Sequence, residues 1–122
     1  SGQLKAKDLP KKWNQLMGRF VGIRPKTDRE GCLQDIHWTG MMGYFPTYAL
    51  GSAYAAQIYQ AMDKEIGVSS LIETDQIEKI NAWLKAHVHT YGASKTPKEI
   101  LMHASKESFN PMYYINYLKG KF

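Results

Sequence analysis

One cysteine, Cys32, is all the thiol chemistry the sequence has, which excludes an internal disulfide and suits a reducing compartment. Long apolar runs are missing as well. None approaches the roughly 20 residues that span a bilayer, and no secretory signal opens the chain. Charge of one sign is modest, a formal +5 whose densest cluster is Lys5, Lys7, Lys11 and Lys12. Nucleic-acid binders concentrate charge on one stripe, and no zinc-finger or helix-turn-helix pattern occurs here. Neither nucleic acid nor membrane is therefore expected as a partner, and a cytoplasmic setting is. Sustained period-two alternation, internal repeats and low-complexity tracts are absent too.

What is present points to a folded helical piece. Aromatic residues make up 12% of the chain, too many for disorder, and 122 residues suffice for one domain. The sequence predicts an all-α fold of about five helices. Asp8 and Pro10 open the first, whose apolar stripe is Trp13, Leu16, Met17 and Phe20 and which Gly22 and Pro25 stop. Pro46 opens the second, running to about Ile66 with Gly67 as its stop. Its stripe is Leu50, Tyr54, Ile58 and Met62. Its many small residues (Ala49, Gly51, Ser52, Ala53, Ala55, Ala56) would let neighbouring helices approach closely, a surface normally buried. Asp75 and Glu78 suggest a capping box for a third helix carrying Ile77, Ile80, Leu84 and Val88, which Gly92 ends. Thr96, Pro97 and Glu99 repeat that logic for a short fourth. Asn110 and Pro111 start a fifth, with Tyr114, Ile115 and Leu118 expected to face inward. Between the first two helices lies an irregular loop, briefly extended over residues 32–36.

Chemistry has few places to live. His87 and His89 are two apart on a helix and point to different faces, so they cannot chelate one ion together. His103 stands alone. These three are expected to be surface or boundary histidines, and no metal ligands are assigned. His37 differs in its company, because Gln34, Asp35 and Trp38 flank it and Tyr44 and Tyr48 follow beyond two glycines. An imidazole there can shuttle a proton or donate to a developing oxyanion, and a fixed phenol can donate to the same oxyanion. Gly40 and Gly43 would let the backbone turn back toward His37. An aromatic-rich turn whose polar groups satisfy one another fits the same residues. No nucleophile elbow, P-loop, zinc pair or G-x-G-x-x-G accompanies them.

The stretch "GCLQDIHWTGMMGYFPTY" resembles the G-x-x-Q-D-x-H-W signature of the thermostable carboxypeptidase (carboxypeptidase Taq) family of zinc metallocarboxypeptidases. Gly31, Gln34, Asp35, His37 and Trp38 match every fixed position. The flanks "DLPKKWNQLMGRFVGIRP" and "GYFPTYALGSAYAAQI" and the ending "WLKAHVHTYG…FNPMYYINYLKGKF" are similar to family segments as well. The resemblance implies a much longer, mostly helical enzyme that removes C-terminal residues from peptides. It makes residues 1–122 a single C-terminal segment of the catalytic domain. The metal, zinc or cobalt, would be held in the parent by an H-E-x-x-H helix and a later glutamate, none of which is in this sequence.

By resemblance, His37 and Tyr44 or Tyr48 would be catalytic oxyanion donors, and Gln34 would bind substrate backbone. Asp35 would orient His37, Gly31 belongs to the signature, and Trp38 would pack the loop against the following helix. The expected partners are peptide C-termini and the upstream part of the same enzyme. The chain alone is expected to be inactive. A helical interaction module, with a homodimer as its form, is the alternative. One departure stands out: Ser105 and Lys106 replace the Thr-Gly of relatives, which would force Lys106 into a left-handed turn.

Overall fold

A computed structural model of the chain describes residues 2–41 and 43–122. Among the described residues there are six α-helices and no strand. They form two units, the first ending at Pro46 and the second being Thr47–Phe122.

In the first unit a single 3-10 turn, Ala6–Asp8, leads into α1 (Leu9–Phe20). Asp8 stands at the N-cap without capping. The 3-10 turn already holds it at φ −94°, ψ −4°, and a capping side chain needs the extended conformation instead. Gly22, at φ +76°, ends the helix as expected. The inward stripe is shifted from expectation: Trp13 and Met17 are half-buried, whereas Leu16 and Phe20 are exposed. Small or polar Asn14 and Gly18 complete the covered face, because Arg24 lies across Gly18 and Asn14 meets Gly31.

In the second unit α2 (Thr47–Ile66) packs against α5 (Pro97–Ser105) and α6 (Met112–Lys121). Between them come α3 (Val68–Glu73) and α4 (Ile77–His87), then a 3-10 turn, His89–Tyr91. The core is Met62, Val68, Trp83 and Ala104, ringed by Ile58, Ala61, Ile66, Ile80, Leu84 and Val88. Helix α3 is the element the sequence did not predict. Gly67, in the left-handed region at φ +67°, ends α2 and lets the chain restart at once. The Val68 N–H, otherwise an orphan of the new helix, donates to Asp63 Oδ1 at 2.8 Å.

Two further expectations are corrected. Asp75 sits at φ 55° in the turn that follows α3, so its side chain is not placed to cap α4. Gln76 takes the N-cap with no side-chain bond, and the Asp75–Glu78 box does not form. On α6, Ile115 faces out; Tyr113 joins Tyr114 and Leu118 on the covered side. The Thr96–Glu99 box does form, with both reciprocal bonds present. The Thr96 hydroxyl and backbone N–H hold the Glu99 carboxyl below its ordinary value.

A buried polar staple ties the C-terminal helices together. Gln57 on α2 is 1% exposed. Its Nε2 donates to Ser105 Oγ at 3.0 Å and to the Ser108 carbonyl at 3.1 Å, while its Oε1 accepts from the Asn110 N–H at 2.9 Å. Every hydrogen-bonding edge of the amide is engaged, as burial requires. Beside it, α2 and α6 frame an open cleft of about 810 Å³ lined by Ala55, Ala56, Tyr59, Tyr113 and Tyr117. Among the described residues no helix is long and apolar enough to cross a membrane.

Candidate functional site

The signature begins at Gly31, where close approach demands the smallest residue. A Cβ there would lie 3.2 Å from Pro25 Cβ and 3.3 Å from Asn14 Oδ1. Cys32 follows with 1% exposure. Its carbonyl accepts from Trp38 Nε1 at 2.6 Å, and the Trp38 indole meets Trp13 of α1 edge-on at 6.2 Å. Within this unit, then, Trp38 packs back on the preceding helix. The Gln34 amide Nε2 donates to the Arg29 carbonyl at 2.6 Å, bracing the loop that delivers the signature.

Residues 32–36 are mostly wound rather than extended. Cys32–Gln34 and Ile36–Thr39 are 3-10 turns, and Asp35 between them is extended at φ −90°, ψ 111°. That one extended residue is what an N-cap needs. Asp35 Oδ1 accepts from the His37 N–H at 2.9 Å and from His37 Nδ1 at 2.6 Å. The side chains of His37 and Asp35 are only 19% and 9% exposed. The backbone hydrogen bond from His37 is the largest cause holding the Asp35 carboxyl below its ordinary value. Burial opposes it, and the imidazole hydrogen bond and charge reinforce it.

An ionised carboxylate on Nδ1 selects the Nδ1–H tautomer, an assignment made from the partner. Nε2 is then an acceptor in the neutral ring and a donor in the imidazolium. Two aromatic faces confine the ring: Tyr44 stacks at 5.4 Å and 24°, and Phe45 lies tilted at 5.5 Å and 43°. Gly43, at φ +85°, turns the chain, and the Tyr44 N–H closes on the Met41 carbonyl at 2.9 Å. Six residues named from sequence therefore lie in one unit: Gly31, Gln34, Asp35, His37, Trp38 and Tyr44. Tyr48 stands in the first turn of α2, in the second unit, with its carbonyl accepting from Ser52 Oγ at 3.0 Å. Phe45 was missed, because beside Pro46 it looks like a helix lead-in. Among the described residues no three His, Cys, Asp or Glu side chains converge as metal ligands.

The family model described as carboxypeptidase Taq (M32) metallopeptidase matches residues 1–122. The chain is 43% identical to carboxypeptidase 1 of Bacillus subtilis and 41% identical to thermostable carboxypeptidase 1 of Pyrococcus furiosus. In each case the match covers 100% of this chain and 25% of the relative. The structure of Trypanosoma cruzi metallocarboxypeptidase 1 superposes with a TM-score of 0.92 at 37% identity, over 99% of this chain and 25% of the other. The chain thus spans about a quarter of the length of the relatives it matches.

Proposed function

The chain belongs to the carboxypeptidase Taq (M32) metallopeptidase family, and from that premise we propose that it is the C-terminal part of a longer metal-dependent carboxypeptidase. In this reading it supplies one wall of the cleft, and the divalent metal, zinc or cobalt, rests on residues outside this chain. The observation that carries the reading is the Asp35–His37 pair at 2.6 Å with Tyr44 stacked on the imidazole.

Peptide hydrolysis passes through a tetrahedral oxyanion, and donors aimed at that oxygen lower the barrier because they gain strength only as charge develops. The Tyr44 phenol is such a donor. His37, held at Nδ1 by Asp35, presents Nε2 outward as the second donor when that nitrogen carries a proton. Tyr48 is the second candidate phenol. Gln34 binds the peptide backbone through Oε1 and the second N–H of Nε2, the first being held by the Arg29 carbonyl. Gly31 and Trp38 hold the loop in shape.

The partners of this wall are a peptide C-terminus and the rest of the same polypeptide. The small-residue face of α2, open in the cleft beside α6, supports the second. A reducing, cytoplasmic setting agrees with the buried free thiol of Cys32. The test is release of C-terminal amino acids from a peptide in the presence of zinc or cobalt. The longer polypeptide containing this chain releases them and the purified 122-residue chain does not. Release by the short chain alone overturns the proposal.

One observation favours a second reading, a self-associating helical module. Leu33, Ile36 and Phe20 are 65%, 77% and 72% exposed, apolar surface that a second copy would remove from water. Light scattering over a concentration series separates the two, with growth in mass toward a dimer supporting the module.

A further inference from the structure

Away from the signature, α4 and α5 meet through a row of aromatic and imidazole rings. Trp83 Nε1 donates to Glu65 Oε2 at 2.8 Å, fixing the indole. His87 stacks on that indole, centroids 4.3 Å apart at 29°. The His103 ring from α5 comes within 5.8 Å of His87. The Tyr91 hydroxyl lies 2.7 Å from His103 Nε2, and its ring meets His103 edge-on at 5.0 Å. Lys95 Nζ sits 4.0 Å over the Tyr91 ring. His103 is flanked on its own helix by the buried Leu101 and Ala104, so the row borders the core.

The cationic groups facing His103 make it a poor home for a proton, while the Glu65 carboxylate sits on Trp83 at the other end of the row. His87 faces His103 from α4, Lys95 from the loop and Lys106 from the end of α5. The carboxylates of Glu65, Glu99 and Glu107 take hydrogen bonds from Trp83, Thr96 and the Tyr113 hydroxyl rather than from either imidazole. Among the described residues neither ring has an acid within ion-pair distance. His87 Nδ1 is buried without a hydrogen-bond partner.

We propose that His87, His103 and Tyr91 form an acid-sensitive latch. It holds α5 on α4 while the His103 imidazole is neutral and loosens that junction when acid charges it. In the closed form the Tyr91 O–H donates to His103 Nε2. Protonation turns that nitrogen into a donor, reverses the bond and sets positive charge against His87, Lys95 and Lys106. Burial first, then those same charges, hold His103 below its ordinary value of 6.5. The latch therefore contributes fully above about pH 6.5 and is lost as pH falls through the lowered folded value.

Two measurements on the 122-residue chain test it. Imidazole resonances are followed from about pH 7.5 to pH 5, together with exchange protection of the α5 amides, a window above the range where carboxylates titrate. His103 is expected to titrate below its ordinary value, with protection of α5 lost over the same range. His103→Gln, which keeps an acceptor for Tyr91 and cannot be charged, is expected to flatten the pH dependence of the unfolding midpoint. Titration of His103 at or above its ordinary value, or an unchanged pH slope in a folded His103→Gln chain, overturns the latch. The wild-type titration decides the matter if that variant fails to fold.

Discussion

The Asp35 carboxylate takes two hydrogen bonds from a single residue, the N–H of His37 at 2.9 Å and its imidazole Nδ1 at 2.6 Å. One oxygen thereby both caps the 3-10 turn and sets which nitrogen of the ring is presented outward. Backbone shape and proton placement are coupled at one atom.

Replacing Asp35 by Asn separates those roles. The amide oxygen can still cap the turn, but it carries no charge to hold the imidazole by Nδ1. In the longer polypeptide we expect kcat to fall by about tenfold or more, with KM little changed, as for other groups that orient a reacting side chain. Steady-state kinetics on a short peptide measures it.

Asp35 also sets the acid limit of the turn. Its folded value lies below the ordinary 3.8, so its contribution is complete above that pH and lost as pH falls through the lowered value. Amide exchange at His37 should stay slow down to about pH 4 and quicken only below it. Quickening already near neutral pH would show that the carboxylate is not the cap.

Gln57→Leu should cost about 3 kcal/mol, because the buried groups it serves on the α5–α6 link lose their partner in a site closed to water. Denaturant unfolding of the 122-residue chain would show a lower midpoint at similar slope.

Lys106→Gly should stabilise the chain by about 1 kcal/mol. Lys106 occupies φ 61°, ψ 14° at the end of α5, a conformation glycine adopts without penalty. The same denaturant series detects it as a raised midpoint.

What was legible in the sequence follows the range of the interactions involved. The Thr96–Glu99 box depends on neighbours three residues apart and could be read directly, whereas the left-handed turn at Lys106 was legible only through the glycine that relatives carry there. Gln57 could not, since its partners lie 48, 51 and 53 residues along the chain. Helix α3 was hidden because six residues hold too few turns to display a period, and Gly67 resembles a stop whether or not another helix follows. Asp75 had the residue type of a cap but the backbone of a turn. At the site, the spacing Asp35-x-His37 was visible, yet the packing of Tyr44 and Phe45 against the ring depends on the positive φ of Gly43, which allows many directions.

The most direct test of the central claim is the turnover of the longer polypeptide with His37 replaced by Ala. If this chain carries an oxyanion donor, kcat should fall by about a hundredfold while the protein stays folded and metal-loaded. An unchanged kcat would contradict the account and leave His37 as scaffolding for an aromatic turn.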